Sequence, residues 1–166
     1  MNSEQLRAVQ APLKDEYRDT PESAKVTLRA EGSLSDNDVS CSVQTGRALV
    51  EAGLHPATGG DGSLACSGDM LLQALVACTG VTLRSVASNR RLDVTGTIEA
   101  EGDLDFRGTL GVDRAAPVGF ETIRLRFNLS STATPDELAQ LIETTERYCV
   151  VLQTLRSPVD VTLERG

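Results

Sequence analysis

The run from Met70 to Leu83, MLLQALVACTGVTL, carries no charge over 14 residues. Spanning a bilayer takes about 20 residues, so the run reads as a core segment. Ser67 can cap a helix that starts here, Asp69 falls in its first turn, and Ser88-Asn89-Arg90-Arg91 places cations at its end. These signals predict one helix over 67–90. Within the uncharged run only Gln73, Thr79 and Thr82 are markedly polar. A helix that is apolar nearly all round is buried on most sides. Ala74, Ala77 and Gly80 are small enough for another helix to approach closely. A single chain of 166 residues with short strands would leave part of this helix bare, and bare apolar surface marks an interface. The expectation is an obligate homodimer.

The remaining chain reads as strands and helices in groups. Residues 3–19 have mostly helical apolar spacing, with Pro12 opening a second short helix, and Asp19-Thr20-Pro21 ends this arm. The expected division is an arm over 1–23 and one domain over 24–166. Val26, Leu28 and Ala30 alternate with polar residues, as do Val39, Cys41 and Val43. Ser35-Asp36-Asn37-Asp38 between them is turn chemistry, so they form an antiparallel hairpin, and 47–52 adds a third strand. His55 to Ser63 is a glycine-rich connection without the lysine of a phosphate-binding loop. Alternation predicts strands at 94–101, 122–129 and 159–163. Thr134-Pro135-Asp136-Glu137 is a capping box that opens a helix with Leu138, Leu141, Ile142 and Thr145 inward. Residues 148–155 fit a strand or a short helix equally well. The class is α+β with antiparallel sheet.

Sixteen basic against 24 acidic residues leave a net charge of −8, which argues against nucleic acid and anionic membranes as partners. The polar N-terminus lacks a signal-peptide pattern, so the expected compartment is the cytoplasm. In a reducing cytosol, cysteines are core, metal-binding or catalytic more often than disulfide-bonded. The four are Cys41, Cys66, Cys78 and Cys149, with no CxxC and a single histidine, His55. No zinc spacing is present, and neither a metal nor a cofactor is expected. Cys41 reads as a small core residue. Cys66, just ahead of the long helix, reads as core, an alternative resolving thiol or a sensor. Cys78 lies mid-helix in the most apolar segment. It is either a small packing residue or a reactive thiol, and the latter requires a nearby cation because burial raises a thiol pKa. Cys149 is core in a strand, or sits at a helix start where a thiolate is stabilised.

Two segments, Ser67-Gly68-Asp69-Met70-Leu71-Leu72-Gln73-Ala74-Leu75-Val76-Ala77-Cys78-Thr79 and Tyr148-Cys149-Val150-Val151-Leu152-Gln153-Thr154-Leu155, together resemble the OsmC/Ohr family. The resemblance covers residue 24 to the end, including Gly102-Asp103-Leu104, and its two cysteines stand 71 positions apart. It implies a fold of two central helices packed against antiparallel sheets in an intertwined homodimer. It also implies a thiol-dependent peroxidase acting on small organic hydroperoxides, with a dithiol as reductant. Cys78 would be the peroxidatic and Cys149 the resolving cysteine. The chain departs from the pattern of the peroxidase branches in three places. Gly68 stands ten residues before Cys78, where those branches have a glutamate, and the acid here is Asp69. The prolines before the acid and after the second cysteine are missing, Val150 standing in the latter place. The hairpin turn that supplies their arginine is here the acidic Asp36-Asn37-Asp38. Arg47 is the nearest replacement, with Arg29 behind it, and Asp69 would orient it. The other readings are a non-catalytic relative that binds a small apolar ligand or a partner, and a thiol redox sensor.

Overall fold

The computed structural model describes residues 31–34, 40–45, 48–111, 113–157 and 159–165, together with Glu4, Gln5, Ala8, Ala11, Pro12, Asp19 and Thr20. Residues 24–30 of the strand expected over 24–34, the turn at 35–38, and both Arg29 and Arg47 lie outside the described residues. Internal contacts group the chain into two compact units, 1–72 with 101–124, and 73–100 with 125–166.

In the first unit a four-stranded sheet has the order β1-β2-β3-β4, with β1 Glu31–Leu34, β2 Ser40–Thr45, β3 Ala48–Gly53 and β4 Ala65–Cys66. The expected hairpin is present: β1 and β2 run antiparallel, with Leu34 opposite Cys41. β2 and β3 are also antiparallel, with Cys41 opposite Ala52. β4 was not foreseen, and it runs parallel to β3, so this sheet is mixed rather than wholly antiparallel. Its two residues are too short to show a period, which hides such a strand in the sequence. The connection before it is built from capped turns. His55 Nδ1 accepts the Ala57 N–H at 3.0 Å, and Asp61 Oδ1 accepts the Ser63 N–H at 2.8 Å. A one-turn helix, α2 Phe106–Thr109, forms within residues 102–119, where the sequence shows no periodic pattern, after α1 Ser67–Arg90 has begun in this unit.

The second unit holds most of α1, most of the ribbon β5 Val94–Asp103 with β6 Thr122–Ser131, and the helices α3 Pro135–Tyr148 and α4 Val150–Arg156. Leu83, Ala87, Val94 and Leu141 form its core, and Ile98, Phe127, Leu129 and Leu138 pack around them. Gly96 sits at φ +129 with a hypothetical Cβ only 2.0 Å from the Asn128 carbonyl oxygen, so a side chain there would break the ribbon. The α3 capping box forms as the sequence predicts: Thr134 accepts the Glu137 N–H, and Glu137 accepts the Thr134 N–H at 2.8 Å. α1 ends with the Leu92 N–H on the Ala87 carbonyl at 2.9 Å and Arg91 left-handed at φ 59. This is a Schellman stop without its usual glycine.

The last expected strand needs correction. Residues 159–165 form no strand, and Val159, Val161 and Leu163 are exposed. Alternation supplies an apolar face, but a strand exists only where a sheet edge accepts its hydrogen bonds. The apolar helix is only partly covered, as expected of a single chain. Only Leu75, Thr79, Leu83 and Ala87, spaced four apart, are buried. Leu71 and Val81 are exposed, Val81 by 73%. By length and composition alone α1 is apolar enough to pass for a membrane span, with a mean hydropathy of 1.5.

Candidate functional site

α3 stops at Tyr148 because Cys149 turns extended, at φ −75 and ψ 107. Its N–H still closes the last turn on the Thr145 carbonyl at 2.9 Å. Its own carbonyl then accepts the Gln153 N–H at 2.9 Å and opens α4. One extended residue therefore separates two helices, and that residue is a cysteine. Gln153 Nε2 donates to the Glu146 carbonyl at 2.7 Å and braces the corner. Cys149 is wholly buried, and its side chain supplies no cap to α4.

The first N–H groups of α4 turn instead to α1. Burial works to raise the Cys78 thiol pKa. Against it stand the Val151 N–H, the Cys149 side chain, the Val150 N–H and the side chain of Thr82, whose hydroxyl donates to the Cys78 carbonyl at 2.8 Å, and the net effect holds the thiol below its ordinary value. The Cys149 side chain thus acts on the Cys78 thiol. Thr79, one residue past Cys78, places its hydroxyl 3.4 Å from Cys149 Sγ. Thr79 is 1% exposed, and Cys66, Cys78 and Cys149 are all free thiols. This arrangement offers a nucleophilic sulfur with a second thiol beside it, the requirement for reversible oxidation through a sulfenic acid to a disulfide.

The other selected residues lie elsewhere. Asp69 is on the first turn of α1, nine residues before Cys78, which is about 13 Å of helical rise. It lines a cavity of about 340 Å³ in the first unit with His55, Cys66, Gly68, Phe106 and Phe120. The His55 and Phe106 rings stack there at 4.9 Å. A Cβ on Gly68 would stand 3.4 Å from Phe120 and 3.6 Å from Cys66 Sγ, so the missing side chain at 68 leaves this cavity open. Asp103, also in its wall, is held far below the usual carboxylate range, chiefly by hydrogen bonds from Arg124 and from the Thr122 hydroxyl. Cys41 and Cys66 are two strands apart, opposite Ala52 and Gly53 respectively. Among the described residues no cluster of three or more metal-ligating side chains converges.

Sequence reasoning missed Thr79 and the two valine N–H groups. The signal for Thr79 was present, as one of three polar side chains in the uncharged run. Backbone donors carry no side-chain signature.

The family description "OsmC-like protein" matches residues 60–164. No curated protein sequence matches the chain. Among solved structures, an OsmC-like protein from Mycoplasma pneumoniae superposes with a TM-score of 0.66 at 16% identity, covering 80% of this chain and 89% of that one. An organic hydroperoxide resistance protein OsmC from Legionella pneumophila gives 0.59 at 20% identity, covering 82% and 94%. The organic hydroperoxide resistance protein OhrB of Bacillus subtilis gives 0.51 at 21% identity, covering 82% and 97%. At such identities the structures establish the shared fold, and the family match covers more than half of the sequence. The chain belongs to the OsmC-like family.

Proposed function

We propose that this protein is a cysteine-dependent peroxidase that reduces organic hydroperoxides. The observation that carries the reading is the pairing of Cys78 with Cys149, with the Cys78 thiol held below its ordinary pKa by four hydrogen-bonding groups. A thiolate is the nucleophile such chemistry needs. The Cys78 thiolate attacks the distal oxygen of the hydroperoxide, the O–O bond breaks, and the alkoxide leaves as alcohol after taking up a proton. Cys78 becomes a sulfenic acid and Cys149 converts it to a disulfide with loss of water. A dithiol then reduces the disulfide by exchange. Arg47 remains the proposed charge partner of the thiolate, with Asp69 orienting it. The uncharged sequence on either side of Cys78, from Met70 to Leu83, favours an organic chain over hydrogen peroxide, at about 0.8 kcal/mol for each buried CH₂.

The functional form is proposed to be a homodimer in the cytoplasm. In one chain only 22% of the most apolar window of α1 is buried, and a second copy is the natural cover for the rest. The free thiols suit a reducing compartment. The test is consumption of cumene hydroperoxide with a dithiol reductant. Cys78→Ser should abolish turnover, and Cys149→Ser should leave one stoichiometric oxidation of Cys78. Wild type no faster than free thiol would overturn the reading. The second reading, ligand binding without turnover, draws on the cavity opened at Gly68, and it would then be preferred.

A further inference from the structure

The structure assigns Thr79 a positioning role: its hydroxyl holds the Cys149 sulfur for attack on oxidised Cys78, an inference that rests on the two-cysteine reading above. Thr79 and Cys149 are both closed to water, at 1% and 0% exposure. Their side chains meet at 3.4 Å, within hydrogen-bonding range for sulfur. The Cys149 side chain is also among the groups that lower the Cys78 thiol pKa. Two successive side chains of α1 therefore act on one sulfur. Successive helical residues point about 100° apart, so the pair defines where that sulfur sits. A buried polar group without a partner is costly, so a threonine in this apolar run needs such a contact.

A hydroxyl both accepts and donates. It takes the S–H of Cys149 while the thiol is intact, and turns to donate its own O–H once that proton has left. In the closing step the Cys149 thiolate attacks the Cys78 sulfur, the S–S bond forms, and the S–O bond of the sulfenic acid breaks. The departing hydroxide takes up the proton that Cys149 released and leaves as water. The Cys149 sulfur is oxidised and the Cys78 sulfur reduced. Thr79 exchanges no atom in this step. It keeps the attacking sulfur in line and supports its charge.

The experiment uses the full chain with Cys41 and Cys66 replaced by serine. Cys78 is converted to a mixed disulfide with thionitrobenzoate, and release of the second thionitrobenzoate reports attack by Cys149. A parallel arm oxidises Cys78 with cumene hydroperoxide and follows sulfenic acid and disulfide by quenched mass spectrometry. Thr79→Val keeps the volume and removes the hydroxyl. It should slow closure in the mixed-disulfide arm about ten- to a hundredfold, the worth of a hydrogen bond to a charged group. In the hydroperoxide arm sulfenic acid should accumulate. Thr79→Ala should match the valine variant, and Thr79→Ser should restore closure to within a few fold. Closure at the wild-type rate in the valine and alanine variants overturns the assignment. So does a defect that serine does not rescue, since that marks a packing role. Hydroxyl-dependent closure in a protein whose Cys78 ignores hydroperoxide keeps the assignment and removes the peroxidase reading.

Discussion

The helices α1 and α3 reach their places by different routes. α3 is amphipathic and capped at its start by its own residues, with Leu141 and Thr145 buried and Leu138 and Ile142 half-buried. α1 is apolar on nearly every side, yet it buries one stripe of four residues and leaves Leu71 and Val81 in the open. An amphipathic sequence names the face that must be covered. A uniformly apolar one says only that cover is needed and leaves the neighbours to choose the face. Cys78 is on the ambiguous helix, and the break that follows the well-specified helix supplies groups that lower its thiol pKa.

The contrast breaks most readily at Val81. If a second copy covers the bare face of α1, Val81→Glu buries an unpaired carboxylate there, at a cost of roughly 3–5 kcal/mol. Sedimentation should then report the 17.7 kDa chain in place of a dimer twice that mass. A variant that sediments as wild type would show that this face is not the interface. On α3 the corresponding break is internal. Leu141 is fully buried, so Leu141→Ala should cost about 2–5 kcal/mol in urea unfolding whatever the protein concentration. A loss below 1 kcal/mol would mean the core closes around the gap.

The start of α3 offers a milder change. Thr134→Ala removes the side-chain half of the capping box and should cost about 1 kcal/mol. An unchanged urea midpoint would show that water replaces the cap.

The smallest effect sharpens the link between the two helices. Alkylation of Cys78 should reach half its maximal rate below the pH of an ordinary thiol, about 8.5. Cys149→Ala removes one of the hydrogen bonds responsible and should move that midpoint upward by a fraction of a unit. The same depression contributes stability that is present above the unfolded thiol's pKa and lost as pH falls through the folded value. A midpoint at or above that of free cysteine would remove the activated thiolate.

Local chemistry determined much of this protein before any folding. The capping box, the polar and apolar alternation of β5 and β6, and the limits of α1 all rest on short-range rules that neighbouring residues satisfy among themselves. The two cysteines were legible as residues, and their pairing was implied by resemblance. Tertiary structure decided the rest, because those outcomes depend on partners distant in the chain. β4 forms with no period of its own because β3 offers an edge there, whereas the alternating residues 159–163 form no strand. Residues 148–155 fit a strand or a helix until the extended Cys149 ended one helix and opened another. The Cys78 thiol is lowered in part because the N–H groups of Val150 and Val151, more than 70 residues away in sequence, lie at a helix start without intrahelical carbonyl partners.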